Sequence, residues 1–128
     1  MKKDIKVKFD SYPDDIQPKM LELRQLILRV AGSDSKIGPI DEALKWGEPS
    51  FLTNQTKSGT TIRIDWKPKM PDQIGLYVHC QTSLVDTYRS MFPDLRYEGN
   101  RAVLLDVNKP LPERELRLCI HMALTYHL

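Results

Sequence analysis

The sequence predicts an α+β domain of two layers, in which helices near the N- and C-terminal ends pack on one face of an antiparallel sheet. Apolar residues recur every three or four positions towards both ends of the chain, whereas they alternate with polar residues in the middle. Short turn signals separate the alternating segments, which favours antiparallel pairing. The length of 128 residues fits a single domain over residues 1–128.

The first helix is predicted to begin at Tyr12-Pro13-Asp14-Asp15, because proline suits the first helical position and acids suit the positive end of the helix dipole. It ends at Gly32-Ser33. Its inward stripe consists of Ile16, Met20, Leu23, Leu26, Ile27 and Val30. The lysine-rich residues 2–8 ahead of it are expected to form a solvated terminus, with contact to a phosphate backbone or an acidic partner as the alternative.

A short second helix is predicted over Pro39–Trp46. Gly47 supplies the left-handed residue after its end, and Pro49 prevents the helix from continuing. Trp46 follows Ala43 by three positions, a spacing that predicts burial in the core, with a stacking platform for a ligand as the alternative.

Alternation from Ser50 onwards predicts strands. Residues 61–67 place Ile62, Ile64 and Trp66 on one side and Arg63, Asp65 and Lys67 on the other. This strand is expected to form a hairpin with residues 51–55. The next strand directs Ile74, Leu76, Val78 and Cys80 one way and Tyr77 and His79 the other.

The last third of the chain predicts a helix, a hairpin and a final helix. Thr82 or Ser83 caps a helix that turns Leu84, Val85, Tyr88 and Met91 inward. Glu98-Gly99-Asn100 forms the hairpin turn. In a final helix over Pro112–Leu128, Leu116, Cys119, Ile120, Ala123 and Leu124 face inward and Arg114, Arg117 and His121 face outward.

The composition indicates the cellular compartment and excludes some classes of partner. Cys80 and Cys119 are expected as free thiols in a reducing compartment. The N-terminus does not resemble a signal peptide and no apolar run is long enough to span a bilayer, so we expect a cytoplasmic protein without a membrane partner. Basic residues exceed acidic residues by only two, and nucleic acid is therefore not an expected partner.

No catalytic or cofactor motif is present. The sequence contains no glycine-rich dinucleotide loop, phosphate-binding loop, zinc-type cysteine pair, His-Glu-x-x-His segment or nucleophile elbow. His79 and Cys80 are adjacent on a predicted strand, so their side chains point to opposite faces and cannot act as a pair. We therefore expect a protein that is not an enzyme and carries no cofactor.

The candidate ligand site is the sheet face that the helices leave open. Arg63, Lys67, Tyr77 and His79 share that face if their two strands are neighbours, and together they suit a small anion. An ordinary solvated face, on which Asp65 and Lys67 neutralise each other, accounts for the same residues. The corner from Trp46 to Phe51 is a second candidate contact, for a ligand or a protein partner.

Several motifs resemble the YdhG-like family, known as domain-of-unknown-function family 1801, over nearly the whole chain. They are Phe9-Asp-Ser-Tyr12-Pro13, Leu23-Arg24 with Ile27, Glu42-Ala-Leu-Lys-Trp46-Gly47-Glu-Pro49-Ser-Phe51, Trp66-Lys67, Gly75-Leu-Tyr77, Cys80-Gln81-Thr82-Ser-Leu84, Phe92-Pro93, Tyr97-Glu98-Gly99-Asn100-Arg101-Ala102 and Ala123-Leu-Thr-Tyr126-His127. Most members of the family have no assigned activity.

The resemblance implies a frataxin-like fold and, by analogy with a member regarded as an iron chaperone, a role in iron handling. Iron prefers oxygen ligands, which places the candidate metal residues at Asp14, Asp15 and Glu22. Neighbouring Lys19 and Arg24 dilute their charge, and capping of the first helix is their alternative role. The sequence thus leaves three hypotheses: a small binding or adaptor domain, an iron chaperone, and an enzyme acting on a small anionic ligand.

Overall fold

A computed structural model describes all of residues 1–128 as an α+β fold of two layers. The elements in chain order are α1 (Lys3–Asp10), α2 (Gln17–Gly32), β1 (Asp41–Lys45), β2 (Glu48–Leu52), β3 (Ile62–Trp66), β4 (Gln73–Tyr77), α3 (Leu84–Met91), β5 (Arg96–Glu98), β6 (Ala102–Asp106) and α4 (Glu113–Leu124). The strands form one antiparallel sheet in the order β1-β2-β3-β4-β6-β5. The predicted fold class is confirmed.

All four helices pack on the same face of the sheet. One hydrophobic cluster joins their buried residues to alternate residues of the strands, namely Phe51, Ile62, Ile64, Ile74, Leu76, Val103 and Leu105. The intervening strand residues face the other way, because side chains alternate along a strand. We call this second surface the outer face of the sheet.

The two long helices follow the predicted periodicity. The stripe predicted for the first of them is buried, with Ile16 just ahead of α2 and the rest within it, and the five inward residues predicted for the last are buried in α4. The start of α2 differs from the prediction, because residues 13–16 form a turn and the helix begins at Gln17. Gln17 donates through Nε2 to the main-chain oxygens of Asp10 and Tyr12, and so joins the two helices at this turn.

The N-terminus is a helix rather than the expected solvated terminus. Ile5 and Phe9, four residues apart in α1, are both buried in the core. This anchoring brings α1 against β1, where Lys2 Nζ donates to the main-chain oxygen of Glu42 at 2.8 Å.

The helix predicted over Pro39–Trp46 is wrong: this segment contains the edge strand β1. It pairs with β2 along its full length, from Asp41↔Leu52 to Lys45↔Glu48. The backbone hydrogen bonds of the hairpin override the helix propensity of the local sequence. Arg24 of α2 secures the strand further, since it donates to both carboxylate oxygens of Glu42 at 2.7 Å.

The hairpin between β2 and β3 forms as predicted, with a longer loop at residues 53–61. Only Ser50↔Arg63 and Phe51↔Ile62 are paired between the two strands. Pro49 has no N–H to donate to a neighbouring strand, which explains why the ladder does not continue past it. The Tyr12 hydroxyl occupies this region and donates to the Asp65 carboxylate at 2.6 Å.

Outside the segment that forms β1 and its turn, two inward positions were predicted incorrectly. Strand β4 ends at Tyr77 and the chain turns after it, with Thr82 N–H donating to the His79 oxygen, so Cys80 is exposed rather than buried. Met91, at the end of α3, is also exposed, whereas Leu84, Val85 and Tyr88 are buried as predicted. None of the helices has the length and apolar character needed to cross a bilayer.

Candidate functional site

The turn between β1 and β2 presents a tryptophan to solvent. Trp46 and Gly47 both have positive φ, 57° and 74°, as in the tight type I′ turns that match the twist of a hairpin. The Trp46 side chain is 90% exposed, so its predicted burial is wrong. A left-handed conformation disfavours any residue with a Cβ, and exposure means that packing does not offset this cost.

A groove of about 320 Å³ runs beside this turn. It is lined by Lys45, Trp46, Leu52, Thr60, Thr61, Arg63 and His79. The structure therefore brings together three of the predicted ligand residues, Trp46, Arg63 and His79. The His79 Nδ1 accepts a hydrogen bond from Gln81 N–H at 3.1 Å, which leaves Nε2 as the nitrogen free to meet a ligand. Lys45 has no hydrogen-bond or ion-pair partner, so its ammonium group is also free.

A second and larger groove, of about 800 Å³, lies on the other side of the turn. Its lining comes from α1 and from the hairpin: Lys3, Asp4, Val7, Lys8, Ser11, Leu44 and Gly47. Val7 is 61% exposed and provides an apolar wall together with Leu44. The hairpin turn thus separates two grooves, and we call the surface made by the turn and both grooves the hairpin-tip surface.

The other predicted ligand residues lie further along the outer face, around Tyr77. Arg63 is directly opposite Tyr77 in the β3–β4 ladder. The cationic groups of Arg63, Lys67 and Arg101 lie 5.6, 5.9 and 5.5 Å from the centre of the Tyr77 ring, within the range of cation–π contacts. The ring covers Gly75, where a Cβ would come within 2.4 Å of it. Tyr77 is thereby buried, and burial raises the pKa of its hydroxyl.

The cations of this cluster already have anionic partners. Glu48 binds Arg63 at 2.9 Å and Lys67 at 3.0 Å, and the expected ion pair between Lys67 and Asp65 forms at 3.2 Å. Burial tends to lower the pKa of Lys67, but its hydrogen bonds to the two carboxylates raise that pKa overall. Glu48 and Asp65 are only 8% and 6% exposed, so an added anion would have to compete with a shielded carboxylate for either cation, although the Lys67 side chain is 48% exposed.

Phe51 takes no part in this surface. Its side chain is fully buried in the hydrophobic core, on the face of the sheet opposite to Arg63. Trp46 and Phe51 therefore do not form one surface as predicted, because Trp46 is in solvent and Phe51 is in the core between the sheet and the helices. Only the tryptophan is available for contact.

The carboxylates considered for iron do not converge. Asp14 and Asp15 lie exposed in the turn before α2, and Glu22 is half-buried within that helix. No three His, Cys, Asp or Glu side chains anywhere in the structure lie close enough to hold a metal ion. Because iron binding by oxygen ligands needs several donors around one point, these residues do not fit an iron site.

Cys119 is held in the core as a thiol. Burial raises its pKa to about 12, which keeps it protonated and poorly nucleophilic at neutral pH. Tyr88 donates its hydroxyl to the Cys119 main-chain oxygen, and burial raises the pKa of that hydroxyl as well. These shifts come from packing in the core rather than from a site open to substrate.

Reasoning from the sequence missed three contributors: Lys45 of the hairpin-tip surface, Glu48 of the cluster around Tyr77, and the apolar wall that Val7 of α1 provides. One signal was present for the first two, because a residue followed by glycine between alternating segments indicates a two-residue hairpin turn. The α1 wall had only the spacing of Ile5 and Phe9 to indicate it.

Comparisons with known proteins identify no relative. No protein-family model, curated protein or solved structure matches this chain.

Proposed function

We propose that this chain is a small non-enzymatic binding domain, an adaptor that holds an acidic segment of a partner protein at the hairpin-tip surface. The observation that carries the proposal is Trp46, which is 90% exposed in the left-handed region of backbone conformation. Neither its exposure nor its conformation stabilises the domain, so the residue is better explained by a contact made outside the chain.

The chemistry around Trp46 indicates the kind of partner. Burying a tryptophan covers roughly 200 Å² of apolar surface, which suits an aromatic or aliphatic side chain of the partner. Lys45 and Lys3 have no partner within the chain and line the two grooves, where they suit carboxylates. Val7 and Leu44 extend the apolar contact. The partner segment is thus expected to combine acidic residues with at least one large apolar residue.

The outer face of the sheet does not itself bind an anion in this adaptor. Glu48 and Asp65 together neutralise Arg63 and Lys67, so the partner's charge is expected to bind Lys45, which lines the groove and has no ion pair. The motif resemblance to the YdhG-like family, with a frataxin-like fold, belongs to the same proposal and rests on the sequence. A cytoplasmic location is proposed with it, because the exposed Cys80 thiol stays reduced there.

Selection from a displayed library of random peptides tests this function. The wild-type domain is expected to enrich peptides that combine Asp or Glu with an aromatic residue. Trp46→Ala is expected to weaken binding of the enriched peptides by at least about 30-fold, the loss typical of a central aromatic contact. Lys45→Gln is expected to weaken it less and to reduce its dependence on salt.

Leu118→Ala provides the matched control, because Leu118 is another exposed apolar residue, on α4. It should leave peptide binding unchanged. Enrichment of no peptide, or of peptides that bind Trp46→Ala as tightly as the wild type, would remove the proposal.

A further inference from the structure

A third groove, of about 380 Å³, lies between the C-terminal end of α2 and the exposed side of α4. It is lined by Val30, Ser33, Arg114, Arg117, Leu118 and His121. It shares no lining residue with the two grooves of the hairpin-tip surface. A ligand in this groove is therefore expected to bind independently of the proposed protein partner at the hairpin-tip surface.

The arginines of this groove differ from all the others in the chain. Six of the eight arginines have an acceptor within the structure: Arg24 with Glu42, Arg29 with Glu113, Arg63 with Glu48, Arg89 with Asp86, Arg96 with Gln73 and Arg101 with Glu98. Arg114 and Arg117 have no hydrogen-bond or ion-pair partner. Three residues apart on a helix, they lie on one face, and both line the same groove.

The neighbouring acceptors are already in use. Asp34 accepts from His121 Nε2 at 2.8 Å and from Lys36 N–H at 2.9 Å, and the hydrogen bond from His121 is the main reason that the pKa of Asp34 is lowered. Glu113 is paired with Arg29. The guanidinium groups of Arg114 and Arg117 make no ion pair with either carboxylate, although Glu113 precedes Arg117 by four residues on α4.

The end of α2 does not employ these arginines either. The main-chain oxygens of residues 29–31 in its last turn accept from the N–H groups of Ser33 and Asp34, and the Ser33 hydroxyl donates to the Val30 oxygen. The helix end is thus capped without Arg114 or Arg117. Capping, the simplest structural role for basic residues at a helix C-terminus, is already fulfilled by other groups.

We propose that this groove binds a phosphate group, with Arg114 and Arg117 as the anion ligands. Guanidinium groups bind phosphate through paired N–H donors, and two of them on one helix face suit a doubly charged oxyanion. His121, whose ring is held by Asp34, also lines the groove. Val30 and Leu118 supply apolar walls, which suit the organic part of a phosphate monoester.

Amide chemical-shift mapping by NMR tests the site with two probes, inorganic phosphate and phenyl phosphate, at constant ionic strength with chloride as reference. Both probes are expected to shift amides of residues 30–34 and 114–121 saturably. Arg114→Gln/Arg117→Gln should raise the half-saturating concentration at least about tenfold. Arg89→Gln/Arg96→Gln removes the same charge from two arginines outside the groove and should leave the shifts and the half-saturating concentration unchanged.

The comparison of probes identifies the source of the phosphate. Tighter binding of phenyl phosphate assigns the site to a phosphate ester, whereas equal binding assigns it to free phosphate. Shifts that are unchanged in Arg114→Gln/Arg117→Gln, or no saturation by about 50 mM, would overturn the proposal. Trp46→Ala should leave these shifts intact, so the outcome is independent of the adaptor proposal.

Discussion

Replacing Trp46 with asparagine should stabilise the domain. Trp46 has φ of 57°, a conformation that costs an ordinary residue roughly 1–2 kcal/mol and that asparagine adopts much more readily. The side chain is 90% exposed, so about 25 Å² of covered area is lost, worth roughly 0.6 kcal/mol. The net gain in the free energy of unfolding is about 0.5–1 kcal/mol, and Tm should rise by about 2–4 °C.

Thermal unfolding followed by circular dichroism measures this change. Lys57→Asn is the matched control, because Lys57 is the other non-glycine residue with positive φ, 56°, and is also exposed. It should raise Tm in the same direction and leave peptide binding intact, whereas Trp46→Asn should abolish that binding. A fall in Tm for Trp46→Asn would refute the reasoning, since it would show that the tryptophan stabilises the fold.

Three further outcomes follow from buried or shielded groups. Tyr12→Phe removes the hydrogen bond to the buried Asp65 carboxylate and should lower the free energy of unfolding by about 1–3 kcal/mol in urea titration, while an unchanged midpoint would contradict that role. Only Cys80 should react with a thiol reagent in the native protein at neutral pH, because burial raises the pKa of Cys119 to about 12; two rapidly reacting thiols would be inconsistent with this packing. In the folded protein the pKa of Asp34 lies below its ordinary value of 3.8. The Asp34 carboxylate therefore stabilises the fold fully above pH 3.8, and this stabilisation is lost as the pH falls through the lowered pKa. Asp34→Asn should therefore reduce the loss of Tm at acidic pH, and identical pH profiles for both proteins would argue against the shift.

The sequence predicted those elements whose pattern is repeated often enough to outweigh local propensity. In α2 the apolar stripe extends from Met20 to Val30, about three turns, so the position of the helix was correct although its first turn was not. The alternation of Ile62 and Ile64 with Arg63 and Asp65 placed both faces of β3 correctly, and with them the polar cluster on the outer face.

The errors arose where long-range contacts decide the structure. Glu42-Ala-Leu-Lys45 has good helix formers, but pairing with β2 and the bidentate contact from Arg24 make it a strand. Trp46 was assigned to the core because of its helical spacing, although it is the most exposed large hydrophobic side chain of the protein. The sequence could not predict that Arg114 and Arg117 have no ion-pair partner, because ion pairing depends on which carboxylates the fold brings near them.

The way in which α1 lies against β1 has a consequence for self-association. An uncovered edge strand presents unpaired N–H and C=O groups and serves as a template for pairing between molecules. At one edge of this sheet α1 packs on β1 and Lys2 occupies the Glu42 oxygen. The other edge, β5, is three residues long and carries two charged side chains, Arg96 and Glu98. Neither edge strand therefore offers a long uncovered row of N–H and C=O groups to another copy of the chain. The protein can thus expose a tryptophan beside a sheet edge without forming intermolecular sheets.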